Sequence, residues 1–257
     1  MGTISTRDPF RDARLRVARA QCHADDFRRV SHEFFEGHRY TYAVEAHDDG
    51  AHDLLKVKFG EPLPSELPLL AAEVFWHLRS ALDSTGYTIA VAVGARHPGD
   101  SHFPFGNDSD DPKRWRRSKA LPKEIFSFMR KFKPYKGGHV GLWCLNDACN
   151  RCKHEMLILT PVNVGLSVFR VMEVAGGDAV VLDPPTWNSD KHELELVDME
   201  RGAKLYYDLD LHFDVSFDEP EPFAGEPAVG VLDQLVRETS RIIGAIEAES
   251  RRLKIIP

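Results

Sequence analysis

The sequence predicts an α+β fold, in which a helical bundle of N-terminal, central and C-terminal helices packs beside an antiparallel β-sheet. Two observations predict this class. Apolar residues recur at steps of three and four near both ends and in the centre of the chain, whereas after residue 157 the apolar period becomes two. Because helices bracket the strands, we predict a single domain over residues 1–257, with helical parts at about 1–156 and 228–257, a hairpin near 38–59 and a β-rich part at about 157–218.

The N-terminal and central helices carry the apolar stripe of helices that pack into a core. The first covers residues 8–35, and Gly37 ends it. The central helix covers residues 69–84, and we expect a break at Gly86 before a continuation through residues 87–93. Its apolar face consists of Leu70, Ala71, Val74, Phe75, Leu78, Ala81 and Leu82.

A β-hairpin is predicted between these two helices. Apolar residues alternate over residues 40–44 and again over residues 55–59, which is the period of a strand with one buried face. Asp48, Asp49 and Gly50 lie between the two runs and are typical of a tight turn.

After the central helix the chain is predicted to alternate between loop and helix. Residues 97–119 are polar and contain several Gly and Pro, which indicates a long loop, and loops of that length are usually functional or disordered. Pro122 suits the first turn of a short helix. Residues 140–156 and 229–253 show the helical period again and are predicted to form two further helices.

The β-rich part is predicted to contain strands at residues 168–174, 179–182, 193–197 and 207–217. The last of these alternates apolar and polar residues most regularly, and we expect its polar side to face solvent. A cation site on that side is the alternative, but side chains two residues apart on a strand are about 7 Å apart, too far for a compact metal cage. The aspartates concerned are Asp208, Asp210, Asp214 and Asp218.

Composition is that of an ordinary soluble globular protein, with 28% charged and 42% hydrophobic residues. No apolar run approaches the roughly 20 residues of a membrane span, and the first ten residues lack the apolar core of a signal peptide. Four cysteines are too few and too clustered for a secreted disulfide scaffold. We therefore predict a cytoplasmic protein without membrane contact.

The charge is unevenly spread along the chain. The net charge of −7 argues against a general nucleic-acid binder, yet residues 113–136 contain ten Lys or Arg and one acid. This basic segment predicts contact with RNA or another anionic ligand; the alternative is a solvated loop. A second copy of the chain is also left open as a partner, and no cofactor is implied. The nucleic-acid-binding candidates are Lys113, Arg114, Trp115, Arg116, Arg117 and Lys119.

Polar side chains on two helices form the candidate catalytic set. Arg79 and Asp83 lie four residues apart at the edge of the apolar face, either as an intrahelical ion pair or as a half-buried Arg that holds a phosphate or carboxylate. We expect the helix at residues 140–156 to bring a polar stripe against them. With His77, the further candidates are Asn146, Asn150, Lys153 and His154.

The cysteines of this second helix could be taken for a zinc set. Cys144, Cys149, Cys152 and His154 offer suitable ligand types. However, Cys149 and Cys152 fall on the apolar stripe, and zinc pairs with this spacing usually lie in tight turns. We therefore predict core packing for the thiols and assign no metal site.

The same residues carry a resemblance to a family of uncharacterised bacterial proteins of similar length, whose pattern runs H-N-L-R-S-A-L-D-H, F-P-I, Q-P-Y and L-N-N-I-D-K-H. Here the counterparts are W-H-L-R-S-A-L-D-S, F-P-F, K-P-Y and L-N-D-A-C-N-R-C-K-H, within residues 65–160. The resemblance implies no established activity. This chain departs from the pattern at Ser84, where the family has His.

The chain also resembles HEPN domains, helical bundles that include metal-independent ribonucleases with an R-x4–6-H motif. The resemblance implies that Arg79 stabilises charge at phosphorus, with His77 or His154 as general acid or base. Ser84 occupies the position of the motif His, which puts the activity in doubt. From these observations we expect a non-catalytic binding or interaction protein with a buried polar network. The alternative is an RNA-acting, HEPN-like ribonuclease.

Overall fold

The computed structural model describes residues 8–37, 40–111, 116–157, 159–163, 168–188, 190–210, 213–218 and 221–257. It confirms the α+β class: helices lie beside an antiparallel sheet. The helices are α1 (Arg11–Glu36), α2 (Glu66–Ala92), α3 (Lys123–Arg130), α4 (Val140–Arg151) and α5 (Ala228–Arg252). The strands are β1 (Tyr40–Ala46), β2 (His52–Phe59), β3 (Leu159–Asn163), β4 (Val168–Ala175), β5 (Ala179–Asn188), β6 (Glu193–Glu200), β7 (Lys204–Asp210) and β8 (Phe213–Phe217).

Helix α2 is the centre of the helical layer. Its residues Val74, Phe75 and Leu78 are fully buried, as their spacing predicts, and α1, α4 and α5 all pack against it. Helices α1 and α2 run antiparallel, because Asp12 contacts Ser84 while His23 contacts His77. Among the described helices, α1 and α2 share the most extensive contact.

The expected break in α2 at Gly86 is wrong, since the helix continues to Ala92. Gly86 is instead a point of close approach: a Cβ built there would lie 1.8 Å from the carbonyl oxygen of Ser101. The missing side chain therefore allows the loop that follows α2 to fold back onto the helix.

A four-stranded antiparallel sheet has the strand order β1-β2-β6-β5. The hairpin predicted in the first part of the chain joins the β-rich part, because β2 pairs with β6 through partners such as Leu55 and Val197. Leu55, Val57 and Val197 are fully buried and form a second apolar cluster beside Phe34 of α1. The sheet is thus anchored to the helical layer through the end of α1.

The strand predicted over residues 207–217 is two strands with different partners. Within the described residues, β7 pairs with β4, and β8 pairs with β3. The expectation of a solvent-facing acidic side does not hold at Asp214, which is half-buried and accepts a hydrogen bond from Ser31 of α1. Alternation alone records which residues share a side, and it does not record what covers that side.

The end of α4 differs from the predicted one. Helix α4 ends at Arg151, five residues before the predicted end. Beyond it, backbone hydrogen bonds span three residues instead of four, as from the N–H of His154 to the carbonyl of Arg151. Among the described helices, none combines the length and apolar character needed to cross a membrane.

Candidate functional site

Arg79 lies where α2, α4 and the loop after α2 meet. Its Nε donates a 3.0 Å hydrogen bond to Asn146 Oδ1 on α4, and its Nη1 donates to Asp83 Oδ2 one turn further along α2. The ring of Phe105 covers the guanidinium, with 4.5 Å between its central carbon and the ring centroid. The Arg79 side chain is 17% exposed, so a cation is held inside the protein by groups from three segments.

The carboxylate of Asp83 is the acceptor shared by several groups of this network. Besides Arg79, its carboxylate accepts a 2.9 Å bond from the backbone N–H of Phe103 and lies 3.4 Å from Nδ1 of His102. Burial by itself would raise the pKa of the Asp83 carboxyl. The His102 hydrogen bond, the charge of Arg79 and the Phe103 amide outweigh it and hold that pKa below its ordinary value.

A cleft of about 470 Å³ opens beside Asp83, between the first turns of α1, the second half of α2 and the loop after α2. His102 is about half exposed at this cleft. Ser84 also lines it, with its hydroxyl donating a 2.9 Å bond to Asp12 Oδ2 of α1. The polar groups that line the cleft include Asp12, Arg16, Asp83, Ser84, Tyr87 and His102.

The described part of the basic segment adjoins the cleft. The backbone N–H of His102 donates to the carbonyl of Arg117 at 3.0 Å, and the hydroxyl of Ser118 donates to the His102 carbonyl at 2.7 Å. Arg116 and Arg117 are exposed, while Lys119 forms a 3.0 Å ion pair with Asp100. Of the remaining candidates, Lys113, Arg114 and Trp115 lie outside the described residues.

The polar stripe expected on α4 meets Arg79 only at Asn146. Asn150 is exposed, and its Oδ1 accepts a 3.1 Å hydrogen bond from Lys153 rather than from Arg79. Because α4 ends at Arg151, Lys153 and His154 lie on an exposed turn. Among the described residues no side-chain contact joins His154 to Arg79, so the imidazole expected there is supplied by His102 instead.

His77 faces α1 and not the cleft. Its ring packs against that of His23, and its Nε2 lies 3.7 Å from Glu73. Burial, the charge of His23 and, more weakly, those of Arg16 and Arg19 lower the pKa of His77, against the opposing effect of Glu73. The α2 histidine that the sequence offered as an acid or base therefore belongs to the interface between α1 and α2.

The cysteines of α4 pack as predicted. Cys144 and Cys149 are buried in the main apolar cluster, and Cys152 packs against it. Burial, with a smaller effect of Asp147, raises the pKa of Cys144 to about 12. These thiols are protonated at neutral pH, as expected of cysteines that serve as small apolar side chains.

Sequence analysis missed His102, Phe105 and the contact between Asp12 and Ser84. The F-P-F run at residues 103–105 belongs to the family resemblance, and His102 directly precedes it. No periodicity marks a loop residue, so only the return of the loop onto α2 reveals its place. Comparison of the chain with family models, curated proteins and solved structures gave no match.

Proposed function

We propose that this protein is a non-catalytic binding protein for an anionic ligand, in which a buried polar network supports the binding cleft. Arg79, Asp83 and Asn146 hold α2, α4 and the loop after α2 in one arrangement. The exposed groups at the cleft and on the adjoining basic segment contact the ligand, with Arg116 and Arg117 supplying positive charge.

The observation that carries this proposal is that Arg79 already donates hydrogen bonds to groups within the protein. Its guanidinium donates to Asp83 and Asn146 and is covered by the ring of Phe105. An arginine that binds a substrate phosphate presents its donors to an open site, whereas these donors serve partners within the protein. The network therefore supports a structural role for Arg79, and the ligand-binding charge lies on exposed arginines next to it.

Binding is tested with a fluorescein-labelled single-stranded RNA 12-mer as the probe, by fluorescence anisotropy in EDTA. For the double variant Arg116→Glu/Arg117→Glu we expect an affinity at least tenfold lower than that of the wild type, and a weaker dependence on salt. Each lost phosphate contact reduces the number of counterions released on binding.

The matched control is Arg29→Glu/Arg241→Glu, which makes the same change in charge. Arg29 lies roughly 20 Å along α1 from Arg16 at 1.5 Å per residue, and both substituted arginines are exposed. This control should bind like the wild type. Equal losses in the two double variants, or no binding of the RNA by the wild type, would contradict the proposal.

A second candidate function is metal-independent cleavage of RNA, as in the HEPN domains that the sequence resembles. The observation that favours it is the pairing of His102 with Asp83 at the cleft, 3.4 Å apart, beside Arg79. A histidine oriented by a carboxylate suits general base catalysis. In this reaction His102 would accept the proton of a 2′-hydroxyl, whose oxygen attacks the adjacent phosphorus while the 5′-oxygen leaves.

The two candidate functions differ in whether the bound RNA is cleaved. The same 12-mer is incubated with pure protein in EDTA and resolved on a denaturing gel. Cleavage that His102→Gln abolishes while anisotropy shows unchanged binding would establish the enzyme. Intact RNA with the wild type, at concentrations where binding is saturated, leaves the non-catalytic proposal.

A further inference from the structure

A second group of ionisable side chains lies between α1 and α2, away from the cleft. The rings of His23 on α1 and His77 on α2 are nearly parallel, with centroids 5.5 Å apart. Glu73 lies one turn before His77, and its Oε2 is 3.7 Å from His77 Nε2. Each of the three residues offers one ligand atom, and these atoms all lie within 4.8 Å of one another.

Each of the two imidazoles has a buried ring nitrogen that lacks a hydrogen-bond partner among the described residues. These atoms are Nδ1 of His23 and Nδ1 of His77. Burying a polar atom without a hydrogen-bond partner is unfavourable, because the atom loses its bonds to water and gains none in return. Two such atoms on facing rings, with a carboxylate beside them, are unusual for residues that serve only to pack two helices.

We propose that His23, Glu73 and His77 bind a divalent first-row transition metal ion such as Zn²⁺. Two imidazole nitrogens and one carboxylate oxygen form a ligand set that zinc uses where it keeps a position for water. Glu73 is about half exposed and leaves the site open to solvent on one side. The metal would bridge α1 and α2 and occupy the space that the unpartnered ring nitrogens border.

The spacing fits such an ion after small side-chain rotations. Two ligands at about 2.1 Å from zinc with a tetrahedral angle lie roughly 3.4 Å apart, somewhat closer than the 4.8 Å limit that encloses these atoms. Either ring nitrogen can face the metal after a rotation of the imidazole. The backbone of both helices can therefore stay in place while χ angles bring the ligands together.

This site is separate from the cleft, and the proposal does not depend on the proposed function. His23 lies seven residues after Arg16 on α1, and His77 lies seven residues before Ser84 on α2. At 1.5 Å per residue, both offsets place the metal site roughly 10 Å further along the same helix pair.

The first measurement is titration of the full chain, stripped with EDTA and dialysed, with ZnCl₂ by isothermal titration calorimetry. We expect one ion per chain with a Kd in the micromolar range or below, and a melting temperature that rises with Zn²⁺ concentration. His23→Gln, His77→Gln and Glu73→Gln should each weaken the affinity at least tenfold. Glu73 is exposed, so Glu73→Gln keeps the test valid if a histidine variant folds poorly.

The chain contains a matched control in His32, which is paired with Glu36 on the exposed side of α1. Nδ1 of His32 lies 3.3 Å from Oε2 of Glu36, four residues later, in an i,i+4 histidine–glutamate pair that lies outside the three-residue group. His32→Gln should keep the affinity of the wild type. Equal affinity in His32→Gln and His77→Gln, or no Zn²⁺ heat in the wild type, would overturn the proposal.

Trp76 gives an optical readout at the same place. Its ring centroid is 4.9 Å from that of His77, and the side chain is about half exposed. Cu²⁺ bound beside it should quench its fluorescence, and Trp76→Phe should remove this quenching without removing the heat of Zn²⁺ binding. Quenching that persists in Trp76→Phe would place the ion elsewhere and contradict the assignment.

Discussion

Asp83 and Asp214 are both partly buried beside helices, but different groups surround the two carboxylates. Asp83 lies at the junction of α2, α4 and the loop after α2, where it pairs with the Arg79 guanidinium and lies 3.4 Å from Nδ1 of His102. Asp214 lies in β8, which packs against α1, and its Oδ1 accepts hydrogen bonds from the Ser31 hydroxyl and the Val215 amide, which are both neutral donors. The two carboxylates consequently have pKa values shifted in opposite directions.

The difference shows that burial alone does not set the charge of a side chain. Burial raises the pKa of Asp214, and the two neutral donors only partly oppose it. At Asp83 the same effect of burial is exceeded by the histidine hydrogen bond and the arginine charge, so the pKa falls. Ionised Asp83 thus adds stability above its ordinary pKa of 3.8, which is lost as the pH falls through the lowered value.

The largest expected effect on stability comes from removing the positive charge of Arg79, which pairs with Asp83. Arg79→Met leaves a buried carboxylate without its main partner, and we expect the free energy of unfolding at pH 7 to fall by about 3 kcal/mol. Urea denaturation followed by circular dichroism measures it. The double variant Arg79→Met/Asp83→Asn removes both charges and should recover part of the loss; a double variant less stable than Arg79→Met would contradict this account.

A smaller effect separates two asparagines of α4. Asn146 accepts the hydrogen bond of Arg79 Nε, so Asn146→Ala leaves a buried donor unsatisfied and should lower the free energy of unfolding by about 1–2 kcal/mol. Asn150 is exposed and contacts Lys153, and Asn150→Ala should stay within about 0.5 kcal/mol of the wild type. Equal losses in the two variants would show that the polar stripe acts as one unit.

The smallest effect has the opposite sign. Because the pKa of Asp214 is raised, its ionisation destabilises the fold as the pH climbs above 3.8 through the folded-state pKa. Asp214→Asn should therefore raise the melting temperature at pH 7 by a few degrees, since about 1 kcal/mol corresponds to roughly 2–4 °C. The gain should vanish near pH 3, where the wild-type carboxyl is protonated; a gain of equal size at both pH values would refute the explanation.

Local pattern was sufficient for many elements of this fold, although it failed at Gly86 and within residues 207–217. The apolar stripe of α1 and its end at Gly37, the start of α3 after Pro122, and the alternation in β1 and β2 were all visible in the sequence. Each of these signals lies within about ten residues, where the period of the chain decides which side chains share a face. The pairing of Arg79 with Asp83 was equally accessible, because the two residues are one helical turn apart.

The sequence by itself thus determined the class of the fold, most of its helices and the ion pair on α2, because those depend on residues close together along the chain. Only the tertiary structure decided that Arg79 meets Asn146, 67 residues away, and that Asp214 meets Ser31, 183 residues away. It also decided that His102 joins Asp83 and that His23 faces His77. Contacts between distant residues follow from how the helices and the sheet pack, and no local period records that packing.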